Sequence, residues 1–208
     1  MPESVREIGV DAVRKSNIKT LDASHTNLEQ ISHGAFYHCQ QLESVMLPNS
    51  LTHIGQGAFA GSKIREIHLP KALNDIGYRA FQECHQLEEI DLSETEIEDL
   101  SMNTFQGCKN LTKIKLPKNL KRLSPIELEP VLDPYRGEFT KRKTVFSFMC
   151  PNLTEVEFPE EFARENPKIV EEIQRQLESN KARITKEKTK EKKPDDLPKE
   201  TVSYGEDE

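Results

Sequence analysis

Leu42 to Ser62 reads LESVMLPNSLTHIGQGAFAGS, and Ile64 to Cys84 reads IREIHLPKALNDIGYRAFQEC. The two stretches are one pattern written twice. The same frame returns from Ile18, Leu87, Leu111 and Leu153, so a unit of about 23 residues recurs along the chain. A period of this size marks stacked supersecondary units, none of which can bury its own apolar face alone.

Each unit has two halves. In the first, apolar residues fall at Leu42, Val45 and Leu47, at Ile64, Ile67 and Leu69, and likewise through Leu153, Val156 and Phe158. The last two of each set alternate with polar residues, the period of a half-buried strand. Pro48, Pro70, Pro117 and Pro159 close four of these strands, because proline cannot donate to a ladder. In the second half, apolar anchors such as Leu73, Ile76, Ala80 and Phe81 are closely spaced, which predicts a helical or 3₁₀ turn returning on the opposite side. Two units replace proline with DASHTNL (Asp22 to Leu28) and DLSETEI (Asp91 to Ile97), yet keep the later spacing to Phe36 and Phe105. Anchors that hold register through a changing loop are expected to stack in columns.

The repeated frame AFxxC-xx-LxxIxLP-xxLxxIG resembles the BspA-like subtype of leucine-rich repeat. The likeness covers residues 1 to about 160. It implies a repeat solenoid with a parallel β-strand ladder on the concave face and helical or irregular turns on the convex face. It also implies binding of proteins, at a bacterial or protist surface in most members, and it carries over no catalytic residue.

Met1 to Ile18 aligns with Leu47 to Ile64, placing Ile8, Gly9, Ala12 and Ser16 on Ile54, Gly55, Ala58 and Ser62. The chain therefore opens inside a unit, and this half-repeat over 1–17 is read either as a cap or as the cut edge of a longer array. The N-terminal residues show no charged stretch followed by an apolar run of the signal-peptide kind, and if the chain is a fragment this says nothing of its compartment. A cell-surface or secreted location is expected if the chain is part of a longer one, and a cytoplasmic location otherwise. The fifth unit carries an insertion at about 124–146, with Pro125, Pro130, Pro134 and the basic run Lys141, Arg142, Lys143. Tyr135, Arg136 and Phe139 within it are candidate contact residues.

Beyond Phe158 the repeat stops. Asn166 and Pro167 make a helix start, and Ile169, Val170, Ile173 and Leu177 form a narrow apolar stripe. This predicts a capping helix over 161–184 that covers the open end of the solenoid. From 185 to 208 apolar residues nearly vanish, which predicts a disordered charged tail.

Cys39, Cys84, Cys108 and Cys150 each stand three residues before a strand's first anchor, and Ser16 and Ser62 fill the matching slot elsewhere. A slot open to Cys or Ser is a small, buried, weakly polar position, so reduced thiols are expected. No two cysteines have zinc-ligand spacing, and no metal or cofactor is expected. His25, His33, His38, His53 and His85 fall in loop or turn positions and are expected to be solvated. The sequons at Asn110 and Asn152 follow from the repeat itself, which puts a polar residue before the anchor Leu and Thr into the strand. A net charge of −7, without a basic stripe, disfavours nucleic acid, and no apolar run is long enough to span a membrane.

Strand alternation turns two columns of side chains away from the core. Glu66, His68, Glu89, Asp91, Lys113 and Lys115 form the candidate protein-binding strip among them, acidic in the middle and basic beyond. Cross-strand pairing of Glu89 and Asp91 with Lys113 and Lys115 is the competing, purely structural account. The expected function is a non-enzymatic protein-interaction module, adhesin-like and monomeric. An intracellular scaffold tethered by its charged tail is the alternative.

Overall fold

The computed structural model describes residues 1–128, 143–145 and 148–191. In chain order the strands are β1 (Glu7–Ile8), β2 (Thr20–Asp22), β3 (Gln30–Ile31), β4 (Ser44–Met46), β5 (His53–Ile54), β6 (Asp75–Ile76), β7 (Glu89–Asp91) and β8 (Asp99–Ser101). A 3₁₀ turn at Met102–Phe105 follows, then β9 (Lys113–Lys115), β10 (Arg122–Ser124), β11 (Ile126–Leu128), β12 (Lys143–Val145) and β13 (Glu155–Glu157). Two helices close the described chain, α1 (Glu160–Glu165) and α2 (Pro167–Glu191).

The solenoid carries two parallel ladders rather than one. The first, on the concave face, stacks Leu21 on Val45 in β2 and β4. It resumes with Ile90, Ile114 and Val156 in register across β7, β9 and β13. The second stacks Ile8, Ile31, Ile54 and Ile76 across β1, β3, β5 and β6, and Leu100 on Leu123 across β8 and β10. The anchors read above as part of a helical or 3₁₀ turn are therefore strand residues. Each such strand has one inward anchor, so no alternation is visible in the sequence, and the i, i+3 spacing of Leu73 and Ile76 mimics a helix. Among the described residues, only the fourth unit's turn, at Met102–Phe105, is a 3₁₀ helix.

A second correction concerns the third unit. The strand expected around Glu66–His68 does not form, and the first ladder is interrupted between β4 and β7. Its anchors still stack: Ile64 and Ile67 are buried, and backbone bonds join Lys63 to Leu42 and Glu88 to Arg65.

The core is built in columns. Phe36, Phe59, Phe81 and Phe105 stack face to face, with ring centroids 5.2, 5.5 and 5.8 Å apart. Beside them runs the cysteine column, all four thiols being reduced and buried. Each sulfur donates to a carbonyl one unit earlier: Cys39 to Val13, Cys84 to Phe59, Cys108 to Phe81 and Cys150 to Phe105, at 3.0–3.2 Å. The Ser16 and Ser62 hydroxyls lie 3.5 and 3.3 Å from the sulfurs of Cys39 and Cys84. A slot that must present a small donor to a buried carbonyl accepts Cys or Ser and little else. Burial pushes the Cys84 thiol up to about 11 and that of Cys150 to about 12, so both stay protonated and unreactive.

The residue before each slot sits in the left-handed region: Lys15, His38, Gly61, Glu83, Gly107 and Met149 all have φ between 50° and 78°. The two proline-free units share a different circuit. Asp22 accepts from the N–H and hydroxyl of Ser24, and Asp91 does the same with Ser93, at 2.6–3.0 Å. The buried Thr26 and Thr95 hydroxyls then donate to Ala23 and Leu92 carbonyls, both at 2.7 Å. These turns replace proline as the strand exit.

The C-terminal end is closed by α2. Ile173 and Leu177 are buried against the last unit, as is Phe162 of α1. Asn180 donates to the Leu153 carbonyl at 2.8 Å, and Arg183 to the Pro151 carbonyl at 2.7 Å. These two polar contacts extend the contact surface beyond the apolar stripe that the sequence shows. The helix continues to Glu191, past the expected boundary at 184. Within the expected insertion, β11 and β12 pair antiparallel. Tyr135, Arg136, Phe139 and the basic run as far as Arg142 lie outside the described residues, as does the tail from 192 onward.

Candidate protein-binding face

The first ladder places the outward side chains of successive rungs directly over one another. Glu89, Lys113 and Glu155 share one column, and Asp91, Lys115 and Glu157 the other. Lys115 donates to Asp91 at 2.8 Å. Lys113 turns away from Glu89 and pairs with Glu155 at 2.7 Å and with Glu157. Of the cross-strand pairs anticipated, Asp91 with Lys115 forms, whereas the Lys113 ammonium is held by the following rung. Two carboxylates bind one ammonium there because β13 carries glutamate on both sides of its anchor.

The charges respond accordingly. At Asp91 partial burial raises the carboxyl pKa, but bonds from Lys115 and Ser93 outweigh it and hold the group at about 2. The hydrogen bonds that Lys113 donates to Glu155 and Glu157 raise its pKa, and the bond that Lys115 donates to Asp91 raises that of Lys115. Both ammonium groups of this half of the strip are thus tied into ion pairs.

The other half is open. Glu66 and His68 project from the unstranded third unit, both exposed, and Glu89 is exposed beside them. Where the ladder is interrupted, a groove of about 710 Å³ runs between β4 and β7. Its walls include Glu43, Met46, Arg65, Glu66, His68, Glu88 and Glu89. Met46 is 47% exposed. None of Glu43, Glu66, Glu88 and Glu89 has an ion-pair partner among the described residues. The six sequence-predicted residues therefore split. Asp91, Lys113 and Lys115 are tied into ion pairs, while Glu66, His68 and Glu89 line the groove. Glu43, Arg65, Glu88 and Met46 were missing from that prediction. The first three follow the anchors Leu42, Ile64 and Leu87 directly, a position that is charged in the first four units and threonine in the last two.

The opposite, turn-bearing side has different chemistry. Arg14 lies over the Tyr37 ring and Arg79 over Tyr78, each at 4.7 Å. His25 and His85 bond backbone carbonyls of Met1 and Gly107 at 2.7 and 3.0 Å. Asn152 of the second sequon donates to the Lys109 carbonyl at 2.9 Å and accepts from Arg183, so its amide is in structural use. Among the described residues no His, Cys, Asp or Glu cluster is arranged to hold a metal, and no helix is long and apolar enough to cross a membrane.

Stacked parallel rungs, each built from a strand, a turn column and a return, define a leucine-rich repeat solenoid. The chain belongs to the BspA-type leucine-rich repeat family: the model of the BspA type leucine-rich repeat region, in six copies, matches residues 1–84 and 29–126. No curated protein sequence matches the chain significantly. Among solved structures, a leucine-rich repeat protein from Bacteroides ovatus superposes with a TM-score of 0.59 at 29% identity, covering 76% of this chain and 36% of that one. The T. pallidum leucine-rich repeat protein gives 0.52 at 23% identity over 75% of this chain and 64% of its own, a likeness of fold. The pneumococcal vaccine antigen PcpA gives 0.50 at 26% identity, over 58% of this chain and 32% of the antigen. The chain thus spans less than two thirds of the length of each of these proteins.

Proposed function

We propose that this protein is a non-enzymatic binding module that captures a protein partner on the concave face of its repeats, displayed at a cell surface in an adhesin-like role. The observation that carries this reading is the groove at the interrupted ladder. It combines a half-exposed Met46 with carboxylates that nothing else in the described chain neutralises. Curved repeat arrays present extended concave surfaces of this kind to their partners. The likeness to a vaccine antigen supports an exposed location. Within the strip, Glu66, His68 and Glu89 make contact, while Asp91, Lys113 and Lys115 keep the neighbouring rungs in register.

The test is capture from a panel of purified extracellular proteins by the immobilised chain. Ser44→Trp would block the groove and is expected to abolish capture. Tyr78→Ala, on the turn side, is expected to leave it intact. Capture lost only on changing the turn side would overturn the concave-face reading. Surface labelling of intact cells tests the location.

A further inference from the structure

The chemistry of the groove also indicates what fills it. We infer that its occupant is an extended basic segment of a partner protein, with one apolar side chain seated on Met46 and Lys or Arg side chains set against Glu43, Glu66, Glu88 and Glu89. This rests on the concave-face reading and adds the partner's class.

The argument is one of contrast along a single face. From Asp91 of β7 onward to β13 the outward charges are paired, Lys115 with Asp91 and Lys113 with Glu155 and Glu157. Neighbouring units are also joined by ion pairs away from this face, Lys121 with Glu98 beside the second ladder and Lys71 with Glu94 after the strand exits. At the groove this habit stops. Four glutamates share walls with a single guanidinium, that of Arg65, which makes no ion pair among the described residues. Carboxylates grouped on one wall without ion-pair partners make a local negative field that attracts cations. A guanidinium from outside can engage a carboxylate in a fork, which makes Arg especially suited to this wall. The groove's volume of about 710 Å³ exceeds what one side chain fills, so a segment rather than a single residue is required. Met supplies an adaptable apolar floor that accepts any of several aliphatic side chains.

Three short fluorescein-labelled peptides test this on the full chain. The first alternates Lys and Arg with Leu, the second replaces the basic residues by Glu, and the third replaces them by Ser. Fluorescence polarisation gives the affinities, and backbone amide shifts locate the site. The basic peptide is expected to bind, to shift the amides of Ser44–Met46 and Glu66–His68, and to weaken about tenfold in the double variant Glu66→Gln/Glu89→Gln. Met46→Ser is expected to weaken it severalfold, and Lys121→Ala to leave it unchanged. Both groove variants replace exposed side chains, and a thermal melt of each confirms that it folds. Preference for the acidic peptide at the same amides would overturn the basic class and leave the concave reading standing. Binding that ignores Glu66→Gln/Glu89→Gln, or shifts confined to Tyr37 and Tyr78, would overturn the basic occupant. Absence of binding by the basic peptide would also overturn it, and the capture panel would then judge the concave face alone.

Discussion

A single slot in the repeat shows how a small side chain is chosen. The alternation of Cys and Ser at Ser16, Cys39, Ser62, Cys84 and Cys108 was legible as a demand for something small and weakly polar. The acceptor was not, because the carbonyl belongs to the unit before and sequence spacing carries no information about what lies across a stack. The same is true of Asp91. Its strand-exit role is shared with Asp22, whose carboxyl is likewise lowered by bonds from Ser24. Asp91 alone adds the Lys115 ammonium from the next rung. That has a pH signature. A carboxyl held at about 2 against an ordinary 3.8 favours the folded state when ionised. Its contribution is complete above 3.8 and is lost as pH falls through about 2. The midpoint of urea unfolding is expected to drop across that window, and Asp91→Asn is expected to flatten the part of the drop that Asp91 causes. An unchanged profile in Asp91→Asn would show that other carboxylates govern acid unfolding. Because Asp91 is half exposed, the effect should be well under the value for a buried pair.

At the scale of the rung, the first ladder was visible in the sequence as alternation, and the second was not. Two-residue strands have one anchor each, and nothing in Ile76-Gly77 announces a strand. What the sequence does show is glycine after the anchor at Gly55 and Gly77, and the structure explains it by contact rather than by backbone freedom. A Cβ on Gly77 would lie 2.4 Å from the backbone nitrogen of Gln56 and 2.7 Å from the carbonyl carbon of Gly55. One on Gly55 would meet His33 and Ser32 in the same way, at 2.6 and 2.7 Å. Gly9, at the aligned position in the half-repeat, would meet nothing within 4 Å. Gly77→Ala must therefore push two rungs apart, since the obstacle is backbone, and a loss of roughly 2–3 kcal/mol is expected, toward the upper end for overpacking. Gly9→Ala should be neutral to within about half a kcal/mol. Chemical denaturation of the two variants side by side checks the pair. Equal effects would mean that the second ladder does not set the spacing of the rungs. The interruption at Glu66–His68 belongs to this scale too. Ile64, Ile67 and Leu69 satisfy the strand pattern as well as any unit, so the pattern alone predicts a strand that the backbone does not make.

For the whole molecule, a solenoid's rungs touch only their neighbours, so stability is a chain of local couplings rather than one shared core. The Phe column and both ladders run along that chain, and α2 ends it. The apolar stripe of α2 was legible from Ile169 to Leu177, whereas Asn180 and Arg183 were not, because their partners are carbonyls of the last turn. Ile173 is 1% exposed and sits on that end. Ile173→Ala is expected to cost about 2–4 kcal/mol, in the range of large-to-small core changes. Its distribution along the chain matters more than its size. If coupling passes from rung to rung, amide exchange should accelerate first in β13, then in β9, while β2 and β4 keep the protection of the parent protein. Acceleration of equal size from β2 to β13 would instead mean that the rungs open as one unit. The concave groove lies between β4 and β7, several rungs from α2, so the local outcome carries a functional corollary. A damaged cap would then leave the groove's contacts formed, and peptide binding would survive a loss of stability that the melting curve records in full.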